Sequence, residues 1–299
     1  MHSLFLVLST KCKEECPHCF YNVEPSRKYN EDLDVENLIR IFSNLRERNI
    51  EFYYLTGGEP LDHPDIFNLV RSITNIGAAP ILLTNIHRPS ESDLENLVNS
   101  GLAAMVVSLG RLTSAPILNR IEAELDSIVQ RKAMLAKYFP DSISSILVIT
   151  AFLAPYLSKI LQRLKSIGLD TVIQPAFVPH TLRKDSMVSP FDISNEEWTV
   201  LMEEISNYSA DTGLTYYPDY WNYLRDASGN APKICRMGSD SAVIQPDGSI
   251  HACFHRPDLS AGNILHHDVD DVFNIMSGLA KRCHDARCFG DHCISMFLE

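Results

Sequence analysis

From residue 4 to about residue 180, short β-branched runs alternate with stretches in which apolar residues recur at helical spacing. The runs predict strands at residues 4–8, 52–55, 80–83, 103–108, 146–150 and 171–174. Between the first two, Val35, Leu38, Ile39, Phe42 and Leu45 fall on one helical face. Ser92 with Glu95 has the capping-box pattern and predicts the start of the helix after strand three; Ser194 with Glu197 predicts another just before Trp198. Six such βα units predict an α/β fold around a parallel sheet. Periodicity leaves an open doubly wound sheet and an incomplete barrel both possible, and in either the chemistry sits at the carboxyl ends of the strands.

Beyond residue 213 the pattern changes. Tyr216, Tyr217, Tyr220, Trp221 and Tyr223 lead into a segment dense in cysteine and histidine, and are expected to pack between two modules or line a cleft there. Residues 242–245 and 249–253 flank Pro246-Asp247-Gly248, which predicts a β-hairpin whose glycine supplies a positive φ. Residues 268–277 predict a short helix. The expected organisation is a βα domain over residues 1–213 followed by a small α+β domain over residues 214–299.

Composition narrows the partners. With 45% apolar and 21% charged residues in 299, the chain has an ordinary globular composition and is neither disordered nor low in complexity. Its 26 basic and 38 acidic residues give a net charge of −12, which repels phosphate backbones and anionic headgroups, so nucleic acid and membranes are not expected partners. The apolar run at residues 4–8 lacks a basic flank and is too short for a signal peptide or a membrane span. A cytoplasmic protein with reduced thiols is expected, which turns clustered cysteines towards metal or redox chemistry.

The eight cysteines lie at 12, 16 and 19 and at 235, 253, 283, 288 and 293. Both groups are odd, so a disulfide framework within either end leaves a thiol over. Cys12-x3-Cys16-x2-Cys19 directly follows the first strand. Three thiolates from one loop can hold three corners of an iron–sulfur cube and leave one iron open for chemistry. A zinc knuckle completed by His18 is the alternative. Thr56-Gly57-Gly58-Glu59-Pro60 ends the second strand. Its glycines admit close backbone approach, its carboxylate can accept from an ammonium group, and Pro60 stops the strand edge from continuing. Adjacent strand ends present both motifs to one mouth.

Together these motifs resemble the radical S-adenosylmethionine (radical SAM) superfamily. The resemblance implies a (βα)6 partial TIM barrel in which Cys12, Cys16 and Cys19 hold a [4Fe-4S] cluster whose open iron is chelated by S-adenosylmethionine. It also implies that Gly57, Gly58 and Glu59, followed by Pro60, receive the methionine amino group. His18 stands where the family usually has an aromatic residue, which makes Phe20 the aromatic candidate for the adenine. Asn85 and Ser108 end strands three and four, where the family often carries ribose and carboxylate contacts. An external reductant such as flavodoxin or ferredoxin would drive cleavage of the cofactor to methionine and a 5′-deoxyadenosyl radical that abstracts a substrate hydrogen.

Cys235-Arg236-x-Gly238, Gly248-x4-Cys253, Gly262-Asn263-Ile264 and the late cysteines resemble the SPASM/Twitch extension found in part of that superfamily. The full pattern has about seven cysteines for two clusters, and the five here suffice for one. The resemblance therefore implies one auxiliary [4Fe-4S] cluster on Cys235, Cys253 and two of Cys283, Cys288 and Cys293, with Cys288 and Cys293 the working pair. A zinc site using His251, His255 or His292 is the alternative. The cysteine left over is either a hydrogen-atom donor, as in radical epimerases, or a buried thiol. The expected substrate is a peptide that undergoes epimerisation, oxidation or crosslinking. Strand one begins by residue 4, which leaves no room for an N-terminal leader-binding domain and keeps an amino sugar or aminocyclitol dehydrogenase or epimerase as runner-up. A non-catalytic zinc-binding interaction protein is the reading from another class.

Overall fold

The computed structural model describes residues 1–14, 16, 18–23, 28–113, 118–176, 193–212, 237–254 and 258–285, with only the backbone described at positions including Phe20 and 280–285. Six strands, β1 (Ser3–Val7), β2 (Phe52–Thr56), β3 (Ala79–Asn85), β4 (Ala104–Ser108), β5 (Ile143–Ile149) and β6 (Thr171–Pro175), overlap the segments expected from the β-branched runs. All are parallel, and each pairs with the next in chain order. A doubly wound sheet reverses its strand order at a switch point; this one does not, and among the described residues β6 does not close onto β1. The fold is therefore a partial barrel, with every βα loop at one end.

The remaining edge of β1 is covered by the C-terminal module rather than left open. β7 (Ser241–Ile244) pairs parallel to β1, and β8 (Ser249–His251) and β9 (Ser260–Asn263) follow antiparallel, so one nine-stranded sheet runs through both halves of the chain. The β7–β8 hairpin forms as expected: Gln245 N donates to Ser249 O at 2.8 Å, and Gly248 takes φ +80°. The expected boundary at residue 213 and the aromatic stretch from Tyr216 to Tyr223 lie outside the described residues.

The helices are α1 (Phe20–Val23), α2 (Val35–Arg40), α3 (Phe42–Arg46), α4 (Ile66–Asn75), α5 (Glu91–Ser100), α6 (Gly110–Thr113), α7 (Leu118–Leu135), α8 (Leu157–Ser166), α9 (Asn195–Thr212) and α10 (Val269–Asp285). Three expectations need correction. The apolar face over residues 35–45 is split between α2 and α3 at Ile41, whose N–H turns back to Leu38 O at 3.1 Å; Val35, Leu38, Phe42 and Leu45 are still buried. α5 starts two residues early. Its capping box is Ser90 with Asp93, whose carboxylate also takes Arg88 Nη1 at 3.1 Å, a partner the overlapping Ser92/Glu95 pattern lacks. α10 runs to Asp285, past the expected end at 277, because Met276 and Leu279 continue its buried face. The Ser194/Glu197 box caps α9 as expected, with bonds of 3.2 and 2.8 Å.

α4 buries Ile66, Leu69, Val70 and Ile73, and α8 buries Leu157, Ile160, Leu161 and Leu164, against the outward residues of the sheet. Each such side chain stabilises the fold by about 1.5–3 kcal/mol relative to exposure. α10 joins the same apolar cluster, and Arg48 ties it to the N-terminal half by pairing with Asp270 and stacking 5.1 Å from the Phe273 ring centroid. No described helix is long and apolar enough to cross a membrane.

Candidate active site

β1 and β2 leave the sheet side by side, with Val7 opposite Thr56. Beyond them Gly58 N donates to Ser9 O at 2.7 Å and Glu59 N to Lys11 O at 3.2 Å. A Cβ on Gly57 would lie 2.2 Å from Ser9 O, and one on Gly58 would lie 2.0 Å from Lys11 O, so neither position admits a side chain. Gly57 also takes φ +138°, which side-chain-bearing residues rarely adopt. The glycines thus draw the second strand-end loop into backbone contact with the start of the cysteine loop.

That loop is closed by Thr10, whose Oγ1 donates to Tyr29 O at 3.0 Å and accepts from Tyr29 N at 2.9 Å. Lys11 pairs with Asp32 at 2.9 Å. Within it Cys19 N donates to Cys16 O at 3.0 Å, and Asn22 Nδ2 donates to the same carbonyl at 3.1 Å. Cys12 is exposed, with Sγ accepting from Glu14 N at 3.4 Å, while Cys16 and Cys19 are half-buried. Crowding by neighbouring atoms pushes the Cys12 thiol above its ordinary pKa, against the pull of the Glu14 N–H, and the charges of Glu59, Cys19 and Glu14 add to the rise.

β4 supplies the facing wall. A Cβ on Gly110 would sit 3.5 Å from both Cys16 Sγ and Ser108 Oγ and 3.8 Å from His18 Nε2, so these three groups surround one point. Arg111 Nη2 pairs with Glu14 at 2.8 Å and fastens the cysteine loop to this wall. Sequence reading missed that pair, because 97 residues separate its partners and no local pattern marks it. Burial pushes His18 down to about 4 from an ordinary 6.5, so its ring is neutral at pH 7. Because the unfolded chain binds that proton more readily, folding of the cluster-free protein is opposed as pH falls from 6.5 towards about 4.

Glu59 links the second strand end to the third. Its Oε1 accepts from Leu61 N at 3.1 Å and Thr84 Oγ1 at 2.7 Å, and its Oε2 accepts from Asn85 N at 3.1 Å. Burial nevertheless holds its pKa above the ordinary carboxylate value; the three donors and Arg88 offset this only in part. The sign for stability follows: folding becomes less favourable as pH rises through this raised value. A cation at the remaining lone pair on Oε2 would reverse that cost. Glu59→Gln puts an amide donor against N–H or O–H donors, so unfolding of the apo protein by urea at pH 7 should show a loss of about 1–3 kcal/mol. An unchanged urea midpoint would contradict this reading.

The cysteine loop, Gly57–Gly58–Glu59–Pro60, Asn85 and Ser108 therefore share one mouth, as the sequence implied. The Phe20 side chain lies outside the described residues. At the other cysteine group, Cys253 is buried just beyond β8, and the next residue, Phe254, packs edge-on against Phe5 at 5.4 Å. Val7, Tyr21 and Val243 form an apolar cluster against which Cys19, Met237 and Phe254 pack, so the N-terminal cysteine loop and the C-terminal module share a core. His251, an alternative zinc ligand, engages Ser249 Oγ through Nε2 at 2.8 Å. Cys235, Cys288, Cys293, His255 and His292 lie outside the described residues, as does the side chain of Cys283 on α10.

The profile of the radical SAM superfamily matches residues 6–151, and that of the SPASM iron–sulfur cluster-binding domain matches residues 235–289. This chain is a radical SAM protein with a SPASM domain. These domains bring a [4Fe-4S] cluster that binds S-adenosylmethionine and an auxiliary iron–sulfur cluster. Among curated proteins, the radical SAM chain is 29% identical over 119 residues to the PqqA peptide cyclase of Rhodopseudomonas palustris, covering 40% of this chain and 31% of that one. The match thus spans about a third of the relative's length. Among solved structures, anSMEcpe with bound AdoMet superposes with a TM-score of 0.71 at 16% identity, covering 98% of this chain and 88% of that one. Streptococcus suis SuiB bound to its precursor peptide SuiA gives 0.65 at 17%, covering 93% and 66%. At such identities the structures establish the fold.

The residues fit the cofactor. Among the described residues no three His, Cys, Asp or Glu side chains converge on a point one metal ion could occupy. Nδ1 of His18, beside those thiols, is buried with no hydrogen-bond partner among the described residues, a group that a polar ligand at this mouth would satisfy.

Proposed function

We propose that this radical SAM protein modifies a peptide. The observation that carries the reading is the shared mouth, where a three-cysteine loop, the Gly57–Gly58 approach and the Glu59 carboxylate meet at the open end of an unclosed barrel. Cys12, Cys16 and Cys19 would hold the [4Fe-4S] cluster, and Gly57, Gly58 and Glu59 would receive the amino group of S-adenosylmethionine. When bound, this pair supplies one-electron cleavage of a carbon–sulfur bond and hydrogen-atom abstraction from an unactivated carbon. Glu59 orients an ammonium group through its free lone pair while Leu61, Thr84 and Asn85 hold the carboxylate still. Asn85 and Ser108 border the same ligand on the facing strands, and Phe20 is assigned to its adenine. Cys235 and Cys253, with two of Cys283, Cys288 and Cys293, would hold the auxiliary cluster. Peptide modification draws support from the PqqA peptide cyclases among the relatives and from the peptide bound to SuiB.

The test is turnover of the anaerobically reconstituted protein with synthetic peptides and aminocyclitols in deuterated water, read by mass. A peptide that loses two hydrogens marks oxidation or crosslinking; one that gains a single deuteron marks epimerisation. Alanine variants of Cys283, Cys288 and Cys293 sort the last thiols: two should lose the auxiliary iron, and the third should keep it and lose any deuteron gain. Turnover of an aminocyclitol with no peptide altered would overturn the reading.

A further inference from the structure

The two faces of the barrel sheet are unequal. The outward face is sealed under helices. The inward face is fixed by Ser108, whose hydroxyl shares with Cys16 Sγ the point above Gly110, and strand register carries that face across the sheet. Asn85 pairs with Ser108 and Ser108 with Ile146; Leu83 pairs with Val106; Phe5 pairs with Tyr54 and Tyr54 with Ile81. Phe5 and Tyr54 also stack, with ring centroids 4.7 Å apart.

A closed barrel fills its interior with layers of such side chains. Here Phe5, Tyr54, Ile81, Leu83, Val106 and Ile146 all stay half-exposed, alternating strictly with buried neighbours. The inward positions of β1 to β6 carry no Asp, Glu, Lys, Arg or His, and the polar groups near the strand ends, Thr56, Asn85, Ser108 and Gln174, are all uncharged. In a chain of net charge −12, the described inward positions thus form a neutral, mostly apolar lumen wall beneath the cysteine loop, with Phe254 packed on its Phe5 edge. Apolar surface left open in a concavity is stabilised by whatever covers it, by about 25 cal/mol per Å².

We propose that this lumen is the subsite for an uncharged apolar side chain, aliphatic or aromatic, of the peptide substrate, and that the attacked carbon belongs to that residue. The proposal rests on the peptide reading above and adds which residue of the peptide enters. A lysine or glutamate side chain, or the ammonium and hydroxyl groups of an aminocyclitol, would have to shed water against hydrocarbon with no charged partner among the described inward positions of the strands.

Two measurements on the reconstituted full chain with S-adenosylmethionine test it. In equilibrium dialysis with the neutral probe N-phenyl-1-naphthylamine, Val106→Asp should weaken binding by about tenfold and the milder Leu83→Ser by about threefold. Val98→Asp, on the exposed side of α5, should leave probe binding unchanged. In turnover, deuterium should appear in 5′-deoxyadenosine from peptides carrying perdeuterated leucine or phenylalanine and not from those labelled only in lysine or glutamate. Probe binding indifferent to both lumen variants overturns the proposal, and with a peptide still modified the peptide reading survives it. Deuterium drawn from lysine, glutamate or an aminocyclitol also overturns it. Probe loss in the variants with no peptide turned over upholds the lumen and removes the peptide reading instead.

Discussion

Cys16→Ala is expected to lower the iron content of the reconstituted chain by about four atoms from about eight, and to bring 5′-deoxyadenosine formation to background. The size of the effect follows from stoichiometry: two thiolates do not retain a cube that already has one iron without a protein ligand. The loop should survive the change, because the bonds that shape it run through backbone atoms. Cys16 O keeps its bonds from Cys19 N and Asn22 Nδ2, and Thr10 still closes the loop onto Tyr29. The auxiliary iron should therefore remain. Iron and sulfide analysis with chromatography of the nucleoside product checks both parts, and full iron with normal product from the variant would remove Cys16 from the cluster.

Gly58→Ala should be nearly as damaging for a different reason. The new Cβ would meet backbone atoms, Lys11 O at 2.0 Å and Lys11 C at 2.5 Å, which cannot rotate away as a side chain can. The two strand-end loops must part, losing the 2.7 Å bond from Gly58 N to Ser9 O and displacing Glu59 from its three donors. A loss of about 3 kcal/mol or more is expected, with a melting temperature lower by about 5 °C or more. S-adenosylmethionine cleavage should fall with it. Gly278→Ala is the control: it lies inside α10 with nothing within 4 Å of the added carbon, and should be neutral or stabilising by up to about 1 kcal/mol. Equal melting temperatures for the Gly58 variant and the parent would show that the close approach of the loops is not required.

The features legible in the sequence were those set by local pattern. β-branched runs located all six barrel strands, and the spacing of Cys12, Cys16 and Cys19 and the pentapeptide from Thr56 to Pro60 located the mouth. What stayed hidden depended on competition or distance. Two overlapping capping patterns competed at the start of α5, and Arg88 decided between them from outside the motif. β9 is Ser-Ala-Gly-Asn, too short and too polar to announce itself, and forms because β8 offers it an edge. Nothing local says that β7 pairs with β1 and joins both modules in one sheet. The uncharged lumen is likewise a property of register: no single strand is unusual, and only alignment across six of them places the neutral residues on one face.

The N-terminal thiols are expected to hold a cluster with an iron open to S-adenosylmethionine. Electron paramagnetic resonance of the reconstituted, dithionite-reduced full chain, recorded before and after addition of S-adenosylmethionine, tests it most directly. A [4Fe-4S] signal of which one component changes on addition is the expected result. A spectrum indifferent to S-adenosylmethionine, or a colourless chain that takes up zinc and shows no signal, would contradict it.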